Sequence, residues 1–196
     1  MKACGRAIYR RRTSELSRHS RRGYLARVEC MRGKSSTNCR LRRLTSNYVI
    51  KYLKKRGKSV NHLKLQKLLY YIEAWHLVFF DSPIFNEDIK AWQHGPVLES
   101  VWHHFKKYSI LYNELEACEE CESDLSDEQK DLINDVLDEY GDKTGYYLEN
   151  LTHEEEPWQK AWASADKTLD KELMKTYYGA RLDAKKQKAK TSIATR

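Results

Sequence analysis

The chain has 196 residues, of which 33% are charged and 40% hydrophobic, so it suits one domain with appendages or two small domains. No run approaches the roughly 18 apolar residues of a membrane-spanning helix, so we expect no membrane partner. The five cysteines are odd in number and irregularly spaced, which argues against a disulfide framework and favours a cytoplasmic protein.

The net charge of +8 comes from the two ends of the chain and not from its middle. Residues 1–44 hold 14 Lys and Arg against two acids, and residues 180–196 hold six against one. Residues 45–179 have a net charge of −9. An acidic middle repels phosphate backbones, so only the basic ends are candidates for binding nucleic acid.

Both basic ends are predicted to be disordered, because they combine high net charge with few apolar residues. Four interpretations of residues 1–44 remain open: a disordered extension, a start codon placed too early with the true start at Met31, an organellar targeting peptide, and an arm that binds nucleic acid. Residues 180–196 are predicted to form a solvated basic tail. The predicted domain therefore spans residues 45–179.

Two helices open the predicted domain. Apolar residues from Val49 to Leu53 favour a short helix that ends at Gly57 in a left-handed conformation. The run from Leu63 to His76 is the most apolar and most periodic of the chain, with apolar residues every three or four positions. We expect this central helix to begin after an N-cap at Asn61 and to end before Pro83.

A small ribbon is the only β structure that the pattern predicts. Residues 84–92 alternate loosely between apolar and polar and form one predicted strand, and residues 109–112 form the other. Gly95-Pro96 indicates a break, after which apolar residues from Val97 to Phe105 favour a helix.

Further helices are expected in the second half of the domain. Ser126 with Gln129, and Thr152 with Glu155, have the spacing of capping boxes. The helical segments are predicted over residues 126–140, 146–151, 157–162 and 169–178. The expected fold class is thus mainly α, a single compact helical domain with a two-stranded ribbon, flanked by disordered basic tails.

No catalytic or metal-binding pattern stands out. Cys118 and Cys121 form a single C-x-x-C pair, whereas a structural zinc site needs four ligands. The histidines form no H-x-x-x-H pair, and neither a nucleophile elbow nor a glycine-rich phosphate loop occurs. We therefore expect a protein that is not an enzyme and that uses no metal or cofactor.

The aromatic content and the polar side of the central helix point to partner binding instead. The chain has 13 Tyr and five Trp, and these residue types are enriched at the centres of protein interfaces. Lys64 and Lys67 flank Gln66 on a side of the central helix that we expect to be solvated. A rigid helix would hold these groups in place for a partner.

Four short motifs follow one another in order along residues 45–162: Leu63–Tyr71 with Ala74-Trp75, Pro83-Ile84-Phe85, Ala91–Val97, and Leu151–Glu154 with Pro157-Trp158. Together they resemble the Panacea domain, the SocA-like antitoxin domain that is also seen in phage-associated proteins of the genetic-element-protein-A type. Trp102 stands where that family usually has Tyr. The resemblance does not extend to residues 1–44 or to the link around Cys118.

The resemblance implies an antitoxin of a toxin–antitoxin system, which neutralises a cognate toxin protein by direct binding. Two alternatives stay open: an adapter that delivers the toxin to a protease, and a nucleic-acid-binding regulator that uses the basic tails. An acidic domain would suit a basic toxin, because complementary charge speeds encounter. The predicted partner-binding residues are Lys64, Lys67, Tyr70, Tyr71, Trp92 and His94.

Overall fold

A computed structural model describes residues 35–106, 113–116 and 125–194, except for the side chains of residues 35–43, 185 and 188–194. The predicted strand at residues 109–112 and the pair Cys118 and Cys121 lie outside the described residues. So do the first 34 residues of the predicted N-terminal extension.

The described part of the chain folds into seven helices and one hairpin. In chain order the elements are α1 (Ser35–Lys55), α2 (His62–Phe80), β1 (Lys90–Trp92), β2 (Gly95–Val97), α3 (Glu99–Phe105), α4 (Asp127–Tyr140), α5 (Gly145–His153), α6 (Glu156–Ala163) and α7 (Lys171–Ala194). The predicted fold class, mainly α with a small two-stranded ribbon, is confirmed. Within these elements, no helix combines the length and the apolar character needed to cross a membrane.

Helix α2 is the centre of the fold. Its predicted ends are confirmed: the Asn61 side chain accepts the Lys64 N–H, and Asp81 closes the helix in a left-handed conformation just before Pro83. Every residue from His62 to Leu77 is buried, because α7, α5, α4 and the hairpin pack around the helix.

Polar side chains of α2 bind the backbone of the segments that pack on it. Glu73 Oε2 accepts hydrogen bonds from the N–H groups of Ile84 and Phe85, both at 3.0 Å. Gln66 Oε1 accepts the Leu98 N–H at 2.9 Å, and Gln66 Nε2 donates to the Leu98 carbonyl at 3.3 Å. These bonds satisfy backbone groups that would otherwise be buried without partners.

The hairpin differs from the predicted ribbon. Its first strand covers only Lys90–Trp92 and pairs antiparallel with Gly95–Val97, so the predicted break at Gly95-Pro96 is wrong. The strand does not begin at residue 84, because Glu73 takes the backbone donors of Ile84 and Phe85 that a strand would need.

The turn of the hairpin lies directly on Lys67. Gly95 has a φ of 93°, and a Cβ there would lie 2.7 Å from Lys67 Cε and 2.8 Å from Thr152 Oγ1. Lys67 is fully buried, and its Nζ donates to the Pro96 carbonyl at 3.1 Å. Burial lowers the pKa of Lys67 to about 7, although attraction to Glu149 works in the opposite direction.

Of the two predicted capping boxes, the structure contains one. Ser126 and Gln129 cap α4 reciprocally. The second is wrong, because Thr152 lies inside α5 with its hydroxyl bonded to the Glu149 carbonyl, and Glu155 holds the N-cap position of α6 without a side-chain capping bond.

The ends of the predicted domain do not coincide with element ends. Helix α1 begins at Ser35, ten residues before the predicted start at residue 45. Helix α7 continues past residue 179 to Ala194. Its residues Met174, Tyr178 and Leu182, four apart, are all buried, so the segment predicted as a solvated tail begins inside a packed helix.

We expect Gly95→Ala to lower the free energy of unfolding by about 2 kcal/mol or more, since a left-handed backbone costs a non-glycine residue about 1–2 kcal/mol and the new methyl meets Lys67 and Thr152. Urea unfolding followed by circular dichroism measures the loss. Gly57→Ala is the matched control, because Gly57 has a φ of 67° and open space around it. Equal losses in the two variants would contradict the close contact at Gly95.

The stability of the protein should depend on pH through Lys67. Between pH 7 and the ordinary pKa of 10.5, the unfolded chain holds a proton on Lys67 that the folded chain has released, so the free energy of unfolding rises with pH. Relative to Lys67→Met, the wild type should gain on the order of 1–2 kcal/mol between about pH 7 and pH 9. Urea unfolding at the two pH values tests this, and a constant difference would contradict it.

Candidate partner-binding site

Four of the six predicted partner-binding residues are buried in the domain. The exposed fraction is 7% for Lys64, 1% for Tyr70, and zero for Lys67 and Tyr71. The expected solvated side of the central helix is therefore wrong, and Lys64 Nζ donates to the Ser59 carbonyl at 3.1 Å instead of facing solvent. A partner could touch these four side chains only if the domain opened, and their role in binding stays a prediction.

Tyr70 belongs to a buried polar cluster around Glu155. Glu155 Oε2 accepts hydrogen bonds from the hydroxyls of Tyr178 at 2.5 Å and Tyr70 at 3.3 Å, and Arg181 donates to Oε1 at 2.8 Å. Burial raises the pKa of Glu155 to about 7, although Tyr178 and Arg181 lower it. The cluster joins α2, the start of α6 and α7, so Tyr70 serves packing within the domain.

Tyr71 also serves the core. Its ring stacks on that of Tyr140 in α4, with the ring centroids 4.0 Å apart and the planes 9° from parallel. The sequence pattern does not separate this role from binding, because Tyr is common in cores and at interfaces alike.

Trp92 and His94, the other two predicted residues, lie at the surface in and beside the hairpin turn. The His94 side chain is 47% exposed, and its Nδ1 lies 2.8 Å from Glu149 Oε1 on α5. Trp92 is half-buried, with its ring edge-on to Trp102 of α3 at 5.6 Å between centroids. The turn is thus held by α2 from behind and by α5 from the side.

Helices α5 and α6 extend this surface with a row of aromatic rings. The His153 ring lies 4.1 Å from Trp158 between centroids, and Trp158 stacks on Trp162 at 5.3 Å. Trp162 is 40% exposed. We name this set the hairpin surface; it consists of Trp92, His94, Glu149, His153, Trp158 and Trp162, of which Trp158 is buried, with 8% of its area exposed.

Glu149 is the electrostatic centre of the hairpin surface. It lies beside His94 and attracts both Lys67 below the turn and His153 one helical turn along α5. Burial lowers the pKa of His153, and Lys67 and His94 act in the same direction. One carboxylate thus holds several basic groups around the turn, which fixes the turn relative to α5.

The hairpin surface offers aromatic edges and hydrogen-bonding groups for a partner. In the described residues, no three side chains of His, Cys, Asp or Glu come together in a way that could hold a metal ion. Sequence reasoning missed Glu149, His153, Trp158 and Trp162 as candidates for the surface. The available signal was their spacing. Glu149 and His153 are four residues apart, as are Trp158 and Trp162, and residues at this spacing lie on one side of a helix.

Residues 65–159 match a protein-family model described as "Antitoxin SocA-like, Panacea domain". No curated protein and no solved structure gave a match. The matched range includes Gln66 and Lys67, the whole hairpin, and the hairpin surface as far as Trp158. This confirms the resemblance found in the sequence motifs: residues 65–159 are similar to the Panacea domain of SocA-like antitoxins.

Proposed function

We propose that this protein neutralises a cognate toxin by direct binding, and that the hairpin surface makes the contact. The observation that carries the proposal is the fixed hairpin turn within a domain of the antitoxin family. Side chains from the motif residues Gln66 and Lys67 bond to the backbone behind the turn, at Leu98 and Pro96. The turn therefore presents Gln93 and His94 in one conformation.

A fixed turn favours tight binding, because little conformational entropy of the turn is lost when a partner binds. Three elements hold the turn: α2 through Gln66 and Lys67, α5 through Glu149, and the second strand through its pairing with β1. A recognition loop supported in this way belongs to the rigid class of binding sites, in which little backbone movement accompanies association.

The residue types of the hairpin surface also support protein binding. Tryptophan contributes large energies at interfaces because it buries much area at low entropic cost, and it is enriched among the residues that dominate affinity. Trp162 is the most exposed tryptophan of the described residues at 40%, and Trp158 stacks on it from the side of the hairpin. Tyr146, 70% exposed on α5, lies one turn before Glu149 and adds a further aromatic ring.

The charge of the domain supports a basic toxin as the partner. Residues 45–179 have a net charge of −9, so a basic protein would be attracted and its encounter accelerated. Neutralisation would then require binding alone, without catalysis by the antitoxin.

We expect the double variant His94→Ala, Trp162→Ala to lose neutralisation of the toxin encoded in the adjacent reading frame. Loss of two contacts at the centre of an interface weakens binding by at least about tenfold. Growth on co-expression measures neutralisation, and calorimetry with the purified toxin measures affinity. The matched control is His103→Ala, Tyr147→Ala, which removes an exposed histidine and an exposed aromatic ring outside the hairpin surface.

Two outcomes would contradict this proposal. If the product of the adjacent frame is harmless alone, or remains toxic with the wild-type protein present, the antitoxin function fails. If both double variants lose activity equally while their unfolding curves match the wild type, the hairpin surface is not the contact. A shorter toxin half-life in the presence of the protein would favour the protease adapter instead.

A further inference from the structure

Helix α7 consists of two halves of different character. The first half is fixed to the domain by the buried residues Met174, Tyr178 and Leu182 and by the ion pair of Arg181 with Glu155. Leu182 is the last buried residue among the described side chains of α7. The helix then continues for 12 more residues to Ala194, a length of about 18 Å at 1.5 Å per residue.

The second half of α7 is strongly basic. Residues 183–194 contain four lysines and a single acid, and we call Lys185, Lys186, Lys188 and Lys190 the lysine segment. Asp183 pairs with Lys186 at 3.1 Å. Lys186 and Lys190 are four apart, as are Arg181 and Lys185, and like charges at this spacing destabilise a helix.

Stabilisation of α7 does not explain why the helix carries the lysine segment. Cations stabilise a helix when they lie in its last turn, near the negative end of the dipole. The last turn of α7 contains no basic residue. The spacing of the lysines along the helix therefore brings like charge together, and an external polyanion would offset it.

The composition of the lysine segment distinguishes between three kinds of anionic partner: a protein, a membrane and a nucleic acid. A protein interface needs an apolar centre, and a helix that lies on a membrane needs an apolar face. In residues 183–194 the only apolar residues are three alanines and Ile193. A phosphate backbone can be bound by charge alone, which is what this segment offers.

We propose that the lysine segment binds the phosphate backbone of a nucleic acid. The acidic domain repels phosphates, so within the part of the chain that the structure describes, contact is confined to this end of α7. Lysine makes point-charge contacts without the forked geometry of arginine, and the segment has no aromatic ring to stack on bases. Binding is therefore independent of base sequence and steeply dependent on salt. It does not rest on the proposed toxin binding.

The test measures binding of the full chain to a 20-base-pair DNA duplex and to the RNA duplex of the same sequence, by fluorescence anisotropy from about 50 to 200 mM salt. The variant replaces the four lysines of the lysine segment by glutamine, which keeps helix propensity. If all four touch phosphates, the slope of log K against log salt falls by about 3–4. The two duplexes show which nucleic acid is preferred.

The matched control makes the same change of charge elsewhere, with Lys55, Lys106, Lys130 and Lys143 replaced by glutamine. It should bind within about twofold of the wild type, because these lysines lie on the acidic domain. The proposal is overturned if the wild type binds neither duplex at the lowest salt, or if the control weakens binding as much as the variant. It is also overturned if the variant keeps the wild-type slope, since binding would then come from elsewhere, such as residues 1–44.

Toxin neutralisation by the variant should equal that of the wild type.

Discussion

A buried helix that carries polar side chains must find hydrogen-bond partners for them inside the protein, and this requirement shapes the whole domain. Glu73 and Gln66 of α2 meet it by bonding to backbone groups of the segments that follow the helix. Lys67 meets it at the Pro96 carbonyl. An unpaired buried polar group costs about 1–3 kcal/mol, so each of these bonds also fixes the path of a loop. The hairpin lies where it does because α2 has donors and acceptors there.

The same bonds separate the two sides of the hairpin turn. Behind the turn, Lys67 and Gly95 are in close contact and leave no space for another side chain. In front of it, His94 is exposed and meets Glu149 of α5. The domain thus supports the turn with its interior and leaves the outer side of the turn and Trp162 of α6 exposed.

Local sequence patterns predicted much of the fold. They did not predict the roles of side chains that are buried by segments distant in the sequence. Asn61, Pro83 and Ser126 act within a few residues of their own positions, so the ends of α2 and the start of α4 follow from sequence. The role of Lys67 depends on a segment nearly thirty residues away in the sequence. From the sequence alone, a lysine next to a glutamine indicates a helix side that faces solvent. Glu155 was misread for the same reason, because its partners Tyr70 and Arg181 come from distant helices. In the candidate site, Trp92 is half-buried and His94 is exposed, and their role in binding stays a prediction. The contribution of α5 and α6 required the tertiary structure.

The close fit of Gly95 on Lys67 has a consequence for how such a domain can change its specificity. Substitutions behind the turn disturb the fold, whereas a substitution at the exposed Gln93 alters what the turn displays, and one at His94 also removes the contact with Glu149. Under the proposed function, recognition would diverge at a few outward positions while the supporting residues stay constant. A scaffold organised in this way lends itself to redirection toward new targets by exchange of its turn and of the neighbouring side chains on α6.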